Sequence, residues 1–174
     1  LKAPNLSSNE KRLPVTWIIC VDNSGSMGSR AIIKGEEDSG LSILDITKHA
    51  IRTIIDCIDE DDKVTLITYD CVADIKCQDI SMDWNGKSIV EKGIENMSPG
   101  STTNIWDGLF KSMECITQDT VNPYLLLFTD GQPTVSPPRG EKYYLEKYID
   151  THGLKAPIYT YGFGNSLDTE LLND

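Results

Sequence analysis

The sequence predicts an α/β fold, doubly wound around a mostly parallel central sheet, with one antiparallel edge strand and helices on both faces. Three observations carry that reading. Val15–Val21 and Tyr124–Phe128 are nearly unbroken apolar runs, short and rich in β-branched or bulky residues, as in strands buried on both faces. Stretches with helical spacing of apolar residues separate the strands. Only a few residues join Lys63–Tyr69 to Val72–Ile80, a connection short enough only for an antiparallel pair.

Taken in order, residues 1–13 are polar and read as a loosely held lead-in to a domain over residues 14–174. The first strand ends at Asp22. Residues 28–42 are polar, hold Glu36-Glu37-Asp38, and read as a long loop. Ile43, Ile46, Ala50, Ile51, Ile54, Ile55 and Ile58 then mark a helix, closed by Asp59–Asp62 as a solvated turn. Lys63–Tyr69 alternates and reads as a strand, paired with a weaker one over Val72–Ile80. Gly86–Met97 is helical in spacing until Ser98-Pro99-Gly100 breaks it. Ile105, Leu109, Phe110, Met113 and Ile116 mark the next helix. The second buried run ends at Thr129-Asp130-Gly131, and Pro133, Pro137 and Pro138 make a loop. Tyr144, Leu145, Tyr148 and Ile149 give a short helix, Pro157–Phe163 a last strand, and Leu167–Asp174 the first turns of a truncated helix. Trp84, Trp106 and the tyrosines at 143, 144 and 148 are expected in core or half-buried packing.

A chain of 174 residues fits one domain. Its net charge of −11 argues against broad nucleic-acid binding and against docking on an anionic membrane. No apolar run approaches the roughly 20 residues of a membrane span. The chain opens on Leu1, not Met, and is expected to be a monomeric module of a larger multidomain protein. Five cysteines, an odd count with no Cys-x-x-Cys pair, suggest neither a disulfide framework nor a zinc site. Cys20 and Cys57 fall in apolar stretches and read as small buried hydrophobes. Unpaired thiols favour a reducing compartment, so an intracellular, cytoplasmic setting is expected, with an extracellular surface as the alternative.

Function in such sheets gathers at the carboxyl ends of the strands. Two strands here end in aspartate, Asp22 and Asp130. Asp22-Asn23-Ser24-Gly25-Ser26 sets a carboxylate and two hydroxyls at alternate positions, and Ser98–Thr103 is a second hydroxyl-rich loop. Oxygen donors without His or Cys suit a hard cation. Each fragment alone has a bland reading, as a helix cap or a common turn. Their shared placement at strand ends on one sheet edge is what gives them weight.

These residues, with Thr103-Asn104-Ile105, Leu127-Phe128-Thr129-Asp130-Gly131 and Tyr161-Gly162-Phe163-Gly164, resemble the von Willebrand factor type A (vWA) domain. The resemblance runs from Val15 into Leu167–Asp174 and implies that family's Rossmann-like fold and its metal-ion-dependent adhesion site. Ser24, Ser26 and Thr103 would supply hydroxyl ligands, with Thr102 the neighbouring alternative to Thr103. Asp22 and Asp130 would act directly or through water. The implied metal is Mg²⁺, with Mn²⁺ or Ca²⁺ as alternatives. Ser39–Leu44, Thr103–Leu109 and Pro137–Gly140 further resemble intracellular eukaryotic members, some found with U-box modules.

The expected function is metal-bridged recognition of a protein partner's Asp or Glu carboxylate, without catalysis. Residues 28–42 would line the rim. One alternative is a metal-assisted phosphohydrolase or transferase using Asp22 or Ser24, but neither histidine, His49 or His152, lies near these motifs in sequence. Nucleotide binding through Gly86-Lys87-Ser88 lacks the leading glycine of a P-loop, since Ser81 stands there. The last alternative is a structural interaction domain with a vestigial metal site.

Overall fold

The computed structural model describes residues 12–31, 39–131, 133–164 and Leu172. The Glu36–Asp38 run, residues 1–11 of the lead-in and all but Leu172 of the expected last helix lie outside the described residues. Five strands, β1 (Thr16–Asp22), β2 (Lys63–Tyr69), β3 (Ala73–Ser81), β4 (Pro123–Thr129) and β5 (Ile158–Gly162), form one sheet in the order β3-β2-β1-β4-β5. β1 runs parallel to β2 and β4, and β4 parallel to β5. Only β3 is antiparallel, paired to β2 across the short Asp70–Val72 connection.

Among the described residues, four α-helices cover the sheet: α1 (Ile43–Cys57), α2 (Trp84–Glu95), α3 (Ile105–Glu114) and α4 (Gly140–His152). Alternation along β1 divides the core in two. Ile19 and Val21 pack with Leu44, Ile51 and Ile55 of α1 and Val90 and Ile94 of α2. Ile18 and Cys20 pack with Ile105, Leu109 and Met113 of α3 and Tyr148 of α4. Period-two alternation thus gives β1 two buried faces, and its continuous apolar run follows from that.

Local chemistry sets the helix starts. Ser42 and Asp45 form a reciprocal capping box at α1, with Asp45 N–H donating to Ser42 Oγ at 3.1 Å and Ser42 N–H to Asp45 Oδ2 at 2.9 Å. Asp83 caps α2, accepting from Gly86 N–H at 2.7 Å, so this helix starts before the expected Gly86. α4 is longer than its four apolar residues suggest, because its polar ends carry no periodic signal.

Four expectations are corrected by packing. Trp84 is 87% exposed, because α2 buries Gly86, Val90 and Ile94 and turns Trp84 outward. Cys57 is exposed on the solvent side of α1, whereas Cys20 is buried. β2 does not alternate in burial: Val64 to Tyr69 are all buried, since both faces are covered. The Asp59–Asp62 turn is not uniformly solvated. Asp62 is fully buried and accepts hydrogen bonds from Val15 N–H (2.9 Å), Trp17 Nε1 (3.3 Å) and both Arg12 terminal nitrogens (2.8 and 2.6 Å). Among the described residues, no helix is long and apolar enough to cross a membrane.

Candidate metal centre

Parallel β1, β2 and β4 end at the same sheet edge, and each is followed by or closes on an aspartate. Asp22, the last residue of β1, is fully buried. Its Oδ1 accepts from Ser24 N–H at 2.8 Å, and its Oδ2 from Thr129 Oγ1 at 2.9 Å and Tyr69 Oη at 3.4 Å. Burial pushes the Asp22 carboxyl above its ordinary value. The Ser24 and Thr129 bonds only partly offset this, and the negative charge of Asp130 adds to it.

Ser24 is buried and Ser26 exposed, with their hydroxyl oxygens 3.0 Å apart. The short 3₁₀ turn Gly25–Gly28 presents Ser26 outward while Met27, fully buried, plugs the core beneath it. Thr103 precedes α3. Its N–H donates to Thr134 Oγ1 at 2.8 Å, and its carbonyl accepts from Thr134 and Val135 N–H. Asp130 follows β4 and is 9% exposed. The chain turns away at Gly131, whose φ of 139° is a region that side chains disfavour.

Three loops are stitched together here. Gly100 N–H donates to the Asn23 carbonyl (2.6 Å), Gly25 N–H to the Ser101 carbonyl (3.0 Å) and Asn23 Nδ2 to the Ser98 carbonyl (3.1 Å). Asp70, just past β2, accepts from Ser101 N–H (3.3 Å) and Val72 N–H (3.3 Å), while its carbonyl accepts from Asn104 N–H. Burial opposes the Asp70 charge, but these donors outweigh it and hold its carboxyl below the ordinary value. The edge therefore gathers Asp22, Ser24, Ser26, Thr103 and Asp130 on loops that brace one another. Sequence reasoning missed Asp70, Tyr69, Thr129 and Thr134. Asp70 repeats the signal used for Asp22 and Asp130, an aspartate closing a buried strand.

The donor set fits a hard cation. It holds hydroxyls and carboxylates only, and no group of three or more His, Cys, Asp or Glu is placed to hold a metal ion among the described residues. In octahedral magnesium with bonds of about 2.0–2.1 Å, neighbouring oxygens sit about 3 Å apart, which the Ser24–Ser26 spacing of 3.0 Å matches. Among the described residues, neither Asp22 nor Asp130 is in an ion pair. Thr102 Oγ1 is a buried hydroxyl without a hydrogen-bond partner on the same loop as Thr103.

The chain belongs to the von Willebrand factor type A domain family, whose profile matches residues 17–132. It is similar to inter-alpha-trypsin inhibitor heavy chain H3 of Mus musculus, 28% identical across 92% of this chain and 18% of that protein. The Homo sapiens heavy chain H3 is 26% identical over 93% of this chain and again 18% of its own length. The chain thus spans under a fifth of these curated relatives. Among solved structures, a von Willebrand factor type A protein from Catenulispora acidiphila matches with a TM-score of 0.76. It is 15% identical, over 92% of this chain and 35% of that one, a likeness of fold. The PilB minor pilin from Streptococcus sanguinis matches at 0.60 and 25% identity, over 72% of this chain and 31% of that one.

Proposed function

We propose that this domain is a metal-dependent protein-interaction module. Asp22, Ser24, Ser26, Thr103 and Asp130 would hold Mg²⁺, which would supply the positive charge that recognises an Asp or Glu carboxylate of a protein partner. The observation that carries this reading is the pair of buried carboxylates, in no ion pair among the described residues, beside two hydroxyls at ligand spacing. Neutral hydroxyls as direct ligands leave the cation electrophilic, which is the chemistry needed to take up a carboxylate. Bound metal supplies the bridging charge. Asp22 orients the loop through Ser24 N–H, and Thr129 and Tyr69 fix the Asp22 carboxylate.

Binding without turnover is supported by the placement of candidate bases. His49 is exposed on α1, and His152 stacks on Tyr148 at the far end of α4. Nor does Gly86-Lys87-Ser88 offer a phosphate cradle, since the Asp83 carboxylate already occupies the start of α2. Five free thiols support a reducing, intracellular setting. Partner binding is measured with Mg²⁺ and with chelator, for the wild type and for Asp22→Ala and Ser24→Ala. Binding lost on chelation and in both variants is expected; equal binding in all six conditions refutes the reading.

A further inference from the structure

We propose that the domain reads a second carboxylate on the same partner segment through Arg139, held on an aromatic shelf at the same sheet edge as the metal site. This deepens the metal-bridged reading and rests on it. Arg139 is exposed at the last position before α4, and its guanidinium carbon lies 3.7 Å from the Tyr143 ring centroid. Tyr143 packs edge-on against Tyr144 (5.4 Å), and Tyr144 against Trp106 (5.7 Å). Trp106 is one helical turn past Thr103, and Thr134 ties the loop leading to Arg139 onto the Thr103 backbone. The arginine and the proposed ligands thus share one sheet edge through a continuous series of contacts.

The charge balance indicates an external anion. Arg12 and Arg52 are ion-paired, with Asp59 and Asp62 and with Glu91 respectively. Among the described residues, Arg139 is in no ion pair, although the chain carries a net charge of −11. Glu141 follows in the first turn of α4, but it is buried. The contact of the Arg139 guanidinium carbon with the Tyr143 ring, at 3.7 Å, is a cation–π contact, which consumes none of the five N–H donors that take a carboxylate bidentately. Three ring contacts of 3.7–5.7 Å separate Arg139 from Trp106, one helical turn past Thr103, a span on the order of 20 Å that roughly six extended residues cover. The occupant is therefore an acidic protein segment with one carboxylate at the metal and another several residues away.

Labelled Gly/Ser peptides carrying one Asp, or one Asp and a Glu roughly three to seven residues away, test this by fluorescence anisotropy with Mg²⁺ or chelator. At the favoured spacing the second carboxylate is expected to tighten Mg²⁺-dependent binding about three- to tenfold. Arg139→Gln is expected to erase that gain while leaving one-Asp binding and Mg²⁺ affinity unchanged, and Arg139→Lys to keep only part of it. Persistence of the gain in Arg139→Gln overturns the proposal. So does the absence of any gain while the one-Asp peptide still binds with Mg²⁺. A phosphoserine peptide that outbinds its Glu counterpart, and loses the advantage in Arg139→Gln, reassigns the arginine to phosphate and overturns the carboxylate reading. Failure of every peptide to show Mg²⁺ dependence, the one-Asp peptide included, removes the metal reading as well.

Discussion

Two buried aspartates show how the same side chain can be driven in opposite directions. At Asp22 burial dominates and its donors only partly answer it. At Asp62 burial pushes the same way, but Arg12, Val15 N–H and Trp17 outweigh it, and the carboxyl is held below its ordinary value. A depressed carboxyl stabilises the fold above the unfolded value of about 3.9, and that contribution is lost as pH falls through the lower folded value. Asp62→Ala, which strands the Val15 and Trp17 donors, is expected to cost about 1–3 kcal/mol near neutral pH. Urea unfolding of wild type and Asp62→Asn is expected to show a stability gap that narrows in acid. A gap that widens on acidification contradicts this account. Asp22 is the opposite case. Asp22→Asn removes a charge that burial disfavours, so the chelated variant is expected to be no less stable than wild type. Saturating Mg²⁺ at a hundredfold excess over Kd adds about 2.7 kcal/mol to a protein that binds it only when folded. That gain, read as a thermal shift, is expected in wild type and absent in Asp22→Asn.

At the scale of elements, the legible parts were those whose physics is written in side chains. β1 and β4 were plain because burial on both faces demands continuous apolar runs, and α1 and α3 because one face must be apolar. The start of α2 was obscured because Trp84 and Asn85 point outward and break the pattern, while the cap at Asp83 carries the signal. The proposed ligands were legible as chemistry at strand ends. Their bracing was not, because the Gly25–Ser101 and Gly100–Asn23 bonds use backbone groups that every residue possesses. One side-chain constraint in that bracing can be tested. A methyl group at Gly100 would run into the Asp70 carboxylate, which itself holds Ser101 and Val72. Gly100→Ala is expected to cost about 1–3 kcal/mol through overpacking and to weaken Mg²⁺ binding by displacing the loop that carries Thr103. An Asp70→Ala background removes the carboxylate from the clash and leaves only a tight approach to Cβ, so the double-mutant cycle should show positive coupling. Additive costs would mean that the two residues do not press on each other.

The whole molecule sets the approach of a partner. A chain of net charge −11 repels an acidic segment at long range, while the attraction proposed for the metal and Arg139 acts only at contact. The two effects separate with salt, because the Debye length shrinks from about 30 Å at 0.01 M to about 8 Å at 0.15 M. Raising ionic strength therefore screens the long-range repulsion first, while the metal–carboxylate bond forms inside the screening distance. At fixed saturating Mg²⁺, the association rate of an acidic peptide is expected to rise with added KCl, whereas oppositely charged partners associate more slowly under the same change. Dissociation should respond mainly through the exposed Arg139 contact, which added salt weakens. Stopped-flow measurement across a salt series, repeated with Arg139→Gln, separates the two terms: the rise in association rate persists in the variant, and the salt dependence of dissociation flattens. An association rate that falls with salt in wild type would show that a local positive potential at the site, not the net charge of the chain, governs the encounter.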